Sequence, residues 1–230
     1  FFDVRSHLIP IGLYPSIQKF CQLNNYKYSF EFSPEEFRNQ FKDEYLEKFY
    51  EVIFSGSAYR PRDYKKELIK IAINKKRGVL VSATASGKSL VIYALIRFYL
   101  QERKQILLVV PSIQLVEQMY TEFSKEYGWA ETEKFVSKLH NGVTPDFKKP
   151  VLISTFQSIA KKEPEFFHRF GALLVDETHQ AKTISIKTIS HNCVNAEYRI
   201  GVTGTMQKDL CSFYTITGHL GPVLKEVKTK

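Results

Sequence analysis

From residue 60 onward the apolar positions fall into two alternating kinds of run. Val79-Leu80-Val81, Ile106 to Val110, Val151-Leu152-Ile153, Ala172 to Val175 and Ile200 to Thr203 are short, rich in β-branched residues and free of polar alternation. Runs of that kind predict strands buried on both faces. Between them, Leu90 to Leu100 is apolar at all but Arg97, and Val116, Met119, Tyr120, Phe123 and Tyr127 follow helical spacing. Strands alternating with helices predict an α/β unit, a mostly parallel sheet flanked by helices on both sides, because parallel strands need crossover connections.

The pattern before residue 60 differs. Pro15 to Leu23 predicts a helix, and Tyr26 to Phe32 alternates like a strand. Ser33-Pro34-Glu35-Glu36 has the form of a capping box with proline at the first helical position, so a helix is expected to start there. Phe37, Phe41, Tyr45 and Phe49 recur every four residues and predict its core-facing stripe. Sixteen of the 31 Phe and Tyr residues precede residue 65. These features predict a small α+β N-terminal domain, residues 1–58, with its own aromatic core, ending near Ser55-Gly56-Ser57, and a second domain over residues 59–230.

Charge shows the same division. Residues 1–59 hold six Lys and Arg against eight Asp and Glu, while the 230-residue chain as a whole carries +9. The second domain therefore carries the positive charge, which favours a polyanion such as nucleic acid as partner. Residues 60–77 alone hold eight Lys and Arg against Asp63 and Glu67, and Lys148-Lys149 and Lys161-Lys162 add basic pairs. Each pair taken singly reads first as a solvated surface.

No apolar run reaches the roughly 18 residues of a membrane span, and the N-terminus lacks the features of a signal peptide. A soluble, cytoplasmic protein is expected. Cys21, Cys193 and Cys211 are odd in number and lack CxxC spacing, which argues against disulfides or a zinc finger and predicts core thiols. The six histidines show no HxxxH or HExxH spacing, and no serine sits in GxSxG. Trp129 is expected in a local cluster. A start at Phe1 rather than Met, with a lysine-rich end, suggests a piece of a longer chain.

The candidate chemistry begins where Val79 to Val81 runs into Ser82-Ala83-Thr84-Ala85-Ser86-Gly87-Lys88-Ser89 and then directly into the apolar helix. Strand, loop and helix in that order make a phosphate-binding loop, in which successive backbone N–H groups and the positive end of the helix dipole cradle phosphate oxygens. Gly87 permits close approach, Lys88 would reach the β- and γ-phosphates, and Ser89 would coordinate Mg²⁺. Ser82 stands where the pattern GxxxxGK[ST] has its first glycine, so a plain glycine-containing turn with a solvated lysine is the competing reading. The run Ala172 to Val175 then ends in Asp176-Glu177-Thr178-His179. Phosphoryl transfer to water needs Mg²⁺ near the β/γ-phosphates and a carboxylate to polarise the attacking water. Asp176 fits the first role and Glu177 the second, and in a parallel sheet both loops emerge at the carboxyl edge.

Ala83 to Ser89 followed by Asp176-Glu177-Thr178-His179 resembles motifs I and II of the DExH helicases of superfamily two. Pro111-Ser112-Ile113-Gln114-Leu115-Val116-Glu117-Gln118 is similar to motif Ia, Ser154-Thr155-Phe156-Gln157-Ser158 to the next nucleic-acid-contacting motif, and Thr203-Gly204-Thr205 to motif III. Within the superfamily the chain resembles the recombination and repair helicases of bacteriophages, along nearly its whole length. The resemblance implies a RecA-like P-loop lobe and an ATP- and Mg²⁺-dependent DNA translocase acting on branched DNA or RNA–DNA hybrids, in a phage-infected cell's cytoplasm. It implies nucleotide contacts from Arg60, Tyr64, Thr84, Ala85, Ser86, Gly87, Lys88 and Ser89, with Mg²⁺ on Ser89 and Asp176 and catalysis by Lys88, Asp176 and Glu177. His179, Thr203, Gly204 and Thr205 would couple the ATP site to the strand. Pro111, Ser112, Gln114, Gln118, Thr155, Gln157 and Ser158 would touch nucleic acid. Lys65 replaces the glutamine of the adenine-side motif, and Ala85 a usual glycine. The second RecA-like lobe, with the arginine that stabilises the transition state, has no match, so weak hydrolysis by this chain alone is expected. An RNA helicase, a restriction-enzyme translocase subunit, and a non-catalytic nucleic-acid-binding module with a decayed phosphate loop remain open alternatives.

Overall fold

A computed structural model describes residues 9–29, 39–82, 87–178, 183–206 and 209–227. In chain order its elements are a 3-10 turn (Ile11–Leu13), α1 (Tyr14–Leu23), α2 (Asp43–Ile53), α3 (Asp63–Lys75), β1 (Arg77–Ser82), α4 (Lys88–Gln101), β2 (Ile106–Val110), α5 (Ile113–Thr121) and a π-helical turn (Glu122–Glu126). Next come α6 (Thr132–Phe135), β3 (Val136–Leu139), β4 (Val151–Thr155), α7 (Phe156–Ile159), α8 (Pro164–Phe167), β5 (Ala172–Asp176), α9 (Thr183–Asn192), β6 (Tyr198–Thr203), α10 (Leu210–Leu220) and β7 (Val223–Val227).

The strands make one sheet in the order β3-β4-β2-β5-β6-β1-β7, every pairing parallel. Period-two alternation divides each strand between two cores. Leu80, Leu108, Ile153, Leu174 and Ile200 face the layer of α2, α3, α4 and α5. Val79, Val81, Leu107, Leu152, Leu173 and Val175 face α7, α8, α9 and α10. The five runs expected as strands all form strands, because residues covered on both faces can be apolar without interruption. α4 is buried nearly all round, between the sheet and an outer aromatic shell. Arg97, its one charged residue past the first turn, lies over the rings of Tyr93 and Trp129 at 5.6 and 4.9 Å.

The N-terminal segment departs from expectation. Residues Tyr26 to Ser29 are not a strand, and the proposed capping box at Ser33 lies outside the described residues. The helix begins at Asp43, and its buried residues are Leu46, Phe49, Tyr50 and Ile53, while Tyr45 is exposed. Those side chains, with Phe54, join the same core as α3 and α4, so residues 39–54 have no aromatic core of their own. The 3-10 turn instead packs on α10, where a Cβ on Gly12 would overlap the Thr217 carbonyl oxygen. Cys193 is buried, but Cys21 is half-buried and Cys211 exposed, so only one of the three is a core thiol. Among the described residues no helix is long and apolar enough to cross a membrane.

Candidate functional site

Because the sheet is parallel throughout, β1, β2, β4, β5 and β6 all end on one edge, and the loops leaving that edge carry the candidate residues. β6 lies between β1 and β5. The phosphate-loop strand and the acidic strand are therefore two strand spacings apart, about 10 Å, with the Thr203-Gly204-Thr205 turn between them.

Gly87 caps α4 in the left-handed conformation, φ +74°. A Cβ there would overlap the Nζ of Lys65 on α3, so the lysine in the usual glutamine position brings its ammonium against the loop. Burial first, then the nearby Arg62, lowers the Lys65 pKa. Lys88 opens α4, and its Nζ is ion-paired with Glu177 Oε1. Glu177 Oε2 accepts a hydrogen bond from the Gly204 N–H at 3.3 Å. One carboxylate thus ties the loops after β1, β5 and β6 together. Glu177 has φ +48°, a left-handed geometry costing about 1–2 kcal/mol in a non-glycine residue, which breaks the alternation of the strand before it. The Thr203 hydroxyl donates to the Thr205 carbonyl at 2.8 Å and tightens the middle loop.

Asp176 is 3% exposed, and its Oδ1 has no hydrogen-bond partner. Burial, then the charge of Glu177, pushes its carboxyl up to about 7. Ser89 Oγ lies 2.8 Å from the Tyr127 hydroxyl. An orphaned buried carboxylate oxygen and a hydroxyl at the start of a helix are donor types that Mg²⁺ accepts, with phosphate oxygens and water completing its shell. The residues present fit that ion. Among the described residues no three His, Cys, Asp or Glu side chains cluster as a metal cage, so protein ligands alone would not hold it.

Thr84, Ala85, Ser86 and His179 lie outside the described residues. Arg60 is brought to a different task from the one expected: its Nη1 donates to the carbonyls of Phe54, Ser57 and Tyr59 at 2.7, 2.7 and 2.9 Å, closing the loop ahead of α3. Tyr64 packs half-buried against the core.

On the same edge a groove of about 710 Å³ is lined by Pro111, Ser112, Thr155, Gln157 and Ser158, together with His140 to Gly142, Lys161 and Lys162. Ser112 caps α5, accepting from the Leu115 N–H at 3.3 Å, and leaves that helix's positive end at the groove. Thr155 is buried and spent on capping α7, its oxygen accepting from the Ser158 N–H at 3.2 Å, so it shapes the wall more than it offers a contact. Gln114 does not line the groove, and Gln118 turns away to donate to Glu122 Oε1 at 2.6 Å. His140, held by Glu117 at 2.9 Å, carried no sequence signal because it comes after β3, a strand of only four residues with a central lysine. Trp129 is buried against Phe135 and Tyr93, a packing residue as expected.

The basic run over residues 60–77 is not a free patch. Lys66 pairs with Glu47 at 2.6 Å, Lys70 with Asp43 at 2.5 Å and Lys76 with Glu197 at 2.5 Å, while Arg77 donates to the Glu197 and Ala196 carbonyls. The acidic surplus of the first 59 residues is partly spent on these partners, which lowers the charge left for nucleic acid.

Comparison with known proteins agrees with this geometry. A profile of the family described as "Type III restriction enzyme, res subunit" matches residues 58–208. The ATP-dependent DNA helicase uvsW of Enterobacteria phage T4 is 29% identical over 97% of this chain and 46% of its own length. The DNA 3'-5' translocase XPB2 of Sulfurisphaera tokodaii is 26% identical over 64% of this chain and 31% of its own. The chain thus spans less than half the length of these relatives. A crystal structure of the UvsW helicase from bacteriophage T4 superposes with a TM-score of 0.86 at 26% identity, over 96% of this chain and 80% of that one. On these grounds the chain belongs to the family of the type III restriction enzyme res subunit, among the superfamily-two helicases and near UvsW.

Proposed function

We propose that this chain is the first motor lobe of an ATP-dependent DNA helicase or translocase, with residues 59–230 as the nucleotide-binding unit and residues 39–54 packed on it as an outer layer. The observation that carries this reading is the bridge Lys88–Glu177–Gly204, beside a buried Asp176 whose Oδ1 has no partner. A structural acidic turn would have no reason to keep a buried carboxyl oxygen unsatisfied, since such a group costs about 1–3 kcal/mol.

Each residue then has a task. The ammonium of Lys88, paired with Glu177 in the nucleotide-free geometry, turns to the β- and γ-phosphates of ATP. That exchange frees Glu177 to accept a proton from the water that attacks the γ-phosphorus, while the bond from the γ-phosphorus to its bridging oxygen breaks and ADP leaves with that oxygen. Mg²⁺, held by Asp176 and Ser89, would neutralise charge developing on the phosphate oxygens. The Gly204 N–H, bonded to the same carboxylate, passes the state of Glu177 to the turn after β6. Mutual repulsion with Glu177 and burial hold Asp176 ready for a cation, because the ion relieves both penalties at once.

The groove bounded by Ser112, Gln157, Ser158, Lys161 and Lys162 is the track for a nucleic-acid backbone. The retained catalytic set argues against a decayed, non-catalytic module, and the likeness to UvsW favours DNA over RNA. Branched DNA or RNA–DNA hybrids are the substrates we favour, with a second RecA-like lobe supplying the arginine for efficient hydrolysis and the host cytoplasm as the place of action. DNA-stimulated ATPase activity of the motor, abolished in Lys88→Ala and Glu177→Gln, tests the reading. Equal ATP-independent DNA affinity in all variants, with no ATPase activity in a chain that carries both lobes, would refute it.

A further inference from the structure

The π-helical turn Glu122–Glu126 has no part in the proposed reaction, yet it stands between the two sites. α5 begins at the groove with Ser112 and Ile113, and about 13 Å further on, at 1.5 Å per residue, it passes into the wide turn closed by the Tyr127 N–H donating to the Glu122 carbonyl at 2.9 Å. Single π turns inside helices recur at functional sites, because the extra residue re-aims the side chains beyond it. Here it aims Tyr127, whose hydroxyl meets Ser89 Oγ at 2.8 Å. The tyrosine ring is fixed by Phe54, Tyr59, Tyr93 and Phe123, with centroids 6.4, 5.7, 5.1 and 6.4 Å away. At the other end of the same turn, Glu122 accepts from Gln118 at Oε1, and its Oε2 is buried with no partner.

Asp176 Oδ1 and Glu122 Oε2 are both buried without a partner, and Ser89 meets the hydroxyl of Tyr127, the residue that closes the turn carrying Glu122. Glu122 is not a direct ligand in a three-carboxylate cage, since no such cluster exists among the described residues. It is suited to accept from a water in the shell of the ion.

We infer that Glu122 and Tyr127 are positioning residues that hold the Mg²⁺ shell from the end of α5 and so couple nucleic acid in the groove to magnesium-dependent nucleotide binding. The inference rests on the motor function proposed for the chain. Either hydroxyl can donate in the Ser89–Tyr127 hydrogen bond; when Ser89 donates, both of its lone pairs are left for the cation. α5 runs directly into the turn that begins at Glu122 and is closed by Tyr127, so a strand that shifts α5 along its axis acts on both residues through that turn. Gln118 then acts inside the relay, by fixing Glu122, and not as a contact to the strand.

The test is titration of a fluorescent ADP analogue with Mg²⁺, with and without a single-stranded oligonucleotide, on the wild type, Tyr127→Phe, Glu122→Gln and Lys88→Ala. Tyr127→Phe keeps the ring and its packing, so folding is preserved. We expect both positioning variants to keep the magnesium-free nucleotide affinity within about twofold while the Mg²⁺ midpoint rises about tenfold. The change in affinity produced by the oligonucleotide should fall by about fivefold or more. A Tyr127→Phe protein that leaves either the magnesium midpoint or the oligonucleotide effect at the wild-type value overturns the relay. Wild-type protein that binds no nucleotide, or Lys88→Ala binding as tightly as wild type, overturns instead the motor reading beneath it.

Discussion

Lys88 and Glu177, 89 residues apart, form an ion pair with side chains only 11% and 14% exposed. A pair this sheltered stabilises the fold less through its own attraction than through the penalty of breaking it, because either charge left alone stays desolvated. Lys88→Ala should therefore lower the unfolding free energy by about 3–5 kcal/mol in the absence of nucleotide. Adding Glu177→Gln, which removes the stranded charge, should return about half of that. Denaturant unfolding of the two singles and the double variant measures the cycle, and strictly additive losses would mean that the pair carries no coupling.

Asp176 gives the protein a pH dependence of its own. Its carboxyl titrates near 7 when folded, through burial and the charge of Glu177, and near 3.8 otherwise. The folded state thus holds a proton that the unfolded chain has already released between those values. Stability contributed by this group is fully present below about pH 4 and is lost as pH rises to 7, on the order of 4 kcal/mol in all. Without magnesium, the melting temperature of wild type should fall relative to Asp176→Asn between pH 5 and pH 7.5. Magnesium selects the ionised form, so the gap between the two proteins should narrow when it is added with nucleotide. Parallel pH profiles for the two proteins would exclude the shift.

Much of this arrangement could be read along the chain, and the parts that could not have physical causes. The five central strands were legible because burial on both faces leaves an unbroken apolar run. The two edge strands were not: β3 contains Lys138, and β7 reads Val-Leu-Lys-Glu-Val, with charges where an edge meets solvent. α10 was missed because Thr215, Thr217 and Gly218 are poor helix formers, kept there by packing, with Gly218 leaving room for Pro10 and Leu13. Of the stripe Phe37, Phe41, Tyr45, Phe49, the first lies outside the described residues, Phe41 packs on the core from ahead of the helix that starts at Asp43, Phe49 is buried within it, and Tyr45 is exposed. Leu46, Phe49, Tyr50 and Ile53, at mixed spacings of three and four, form the buried face. In the site, the motif residues were legible as strings. Tyr127 and Glu122 were not, since a π turn leaves no mark in hydrophobic spacing.

Gly87 offers a test of the loop itself. A methyl group at φ +74° strains the backbone by about 1–2 kcal/mol, and it also meets the Lys65 ammonium, the far end of a flexible side chain. Gly87→Ala should lower stability by about that much. Lys65→Ala combined with it should relieve the contact but not the strain, so the double variant should recover only a minor part. Full recovery of the wild-type unfolding midpoint would mean that contact with Lys65, not backbone geometry, demands the glycine.

The groove makes a prediction about salt. Lys161 and Lys162 line it, the first exposed and the second laid over the rings of Phe147 and Phe166 at 5.3 and 5.7 Å. Lys66 and Lys70 belong to the denser basic run but are committed to Glu47 and Asp43. If a nucleic-acid backbone lies in the groove, each groove lysine that neutralises a phosphate releases about one counterion. Lys161→Ala should weaken DNA binding about equally across sequences and reduce the slope of log affinity against log salt by about 1, with Lys162→Ala changing it in the same direction. Lys66→Ala and Lys70→Ala should leave that slope unchanged, although they remove the same formal charge. Fluorescence anisotropy of a labelled oligonucleotide at several salt concentrations separates the two pairs. Equal slopes for all four variants would mean that the chain meets nucleic acid through diffuse charge and not through this groove.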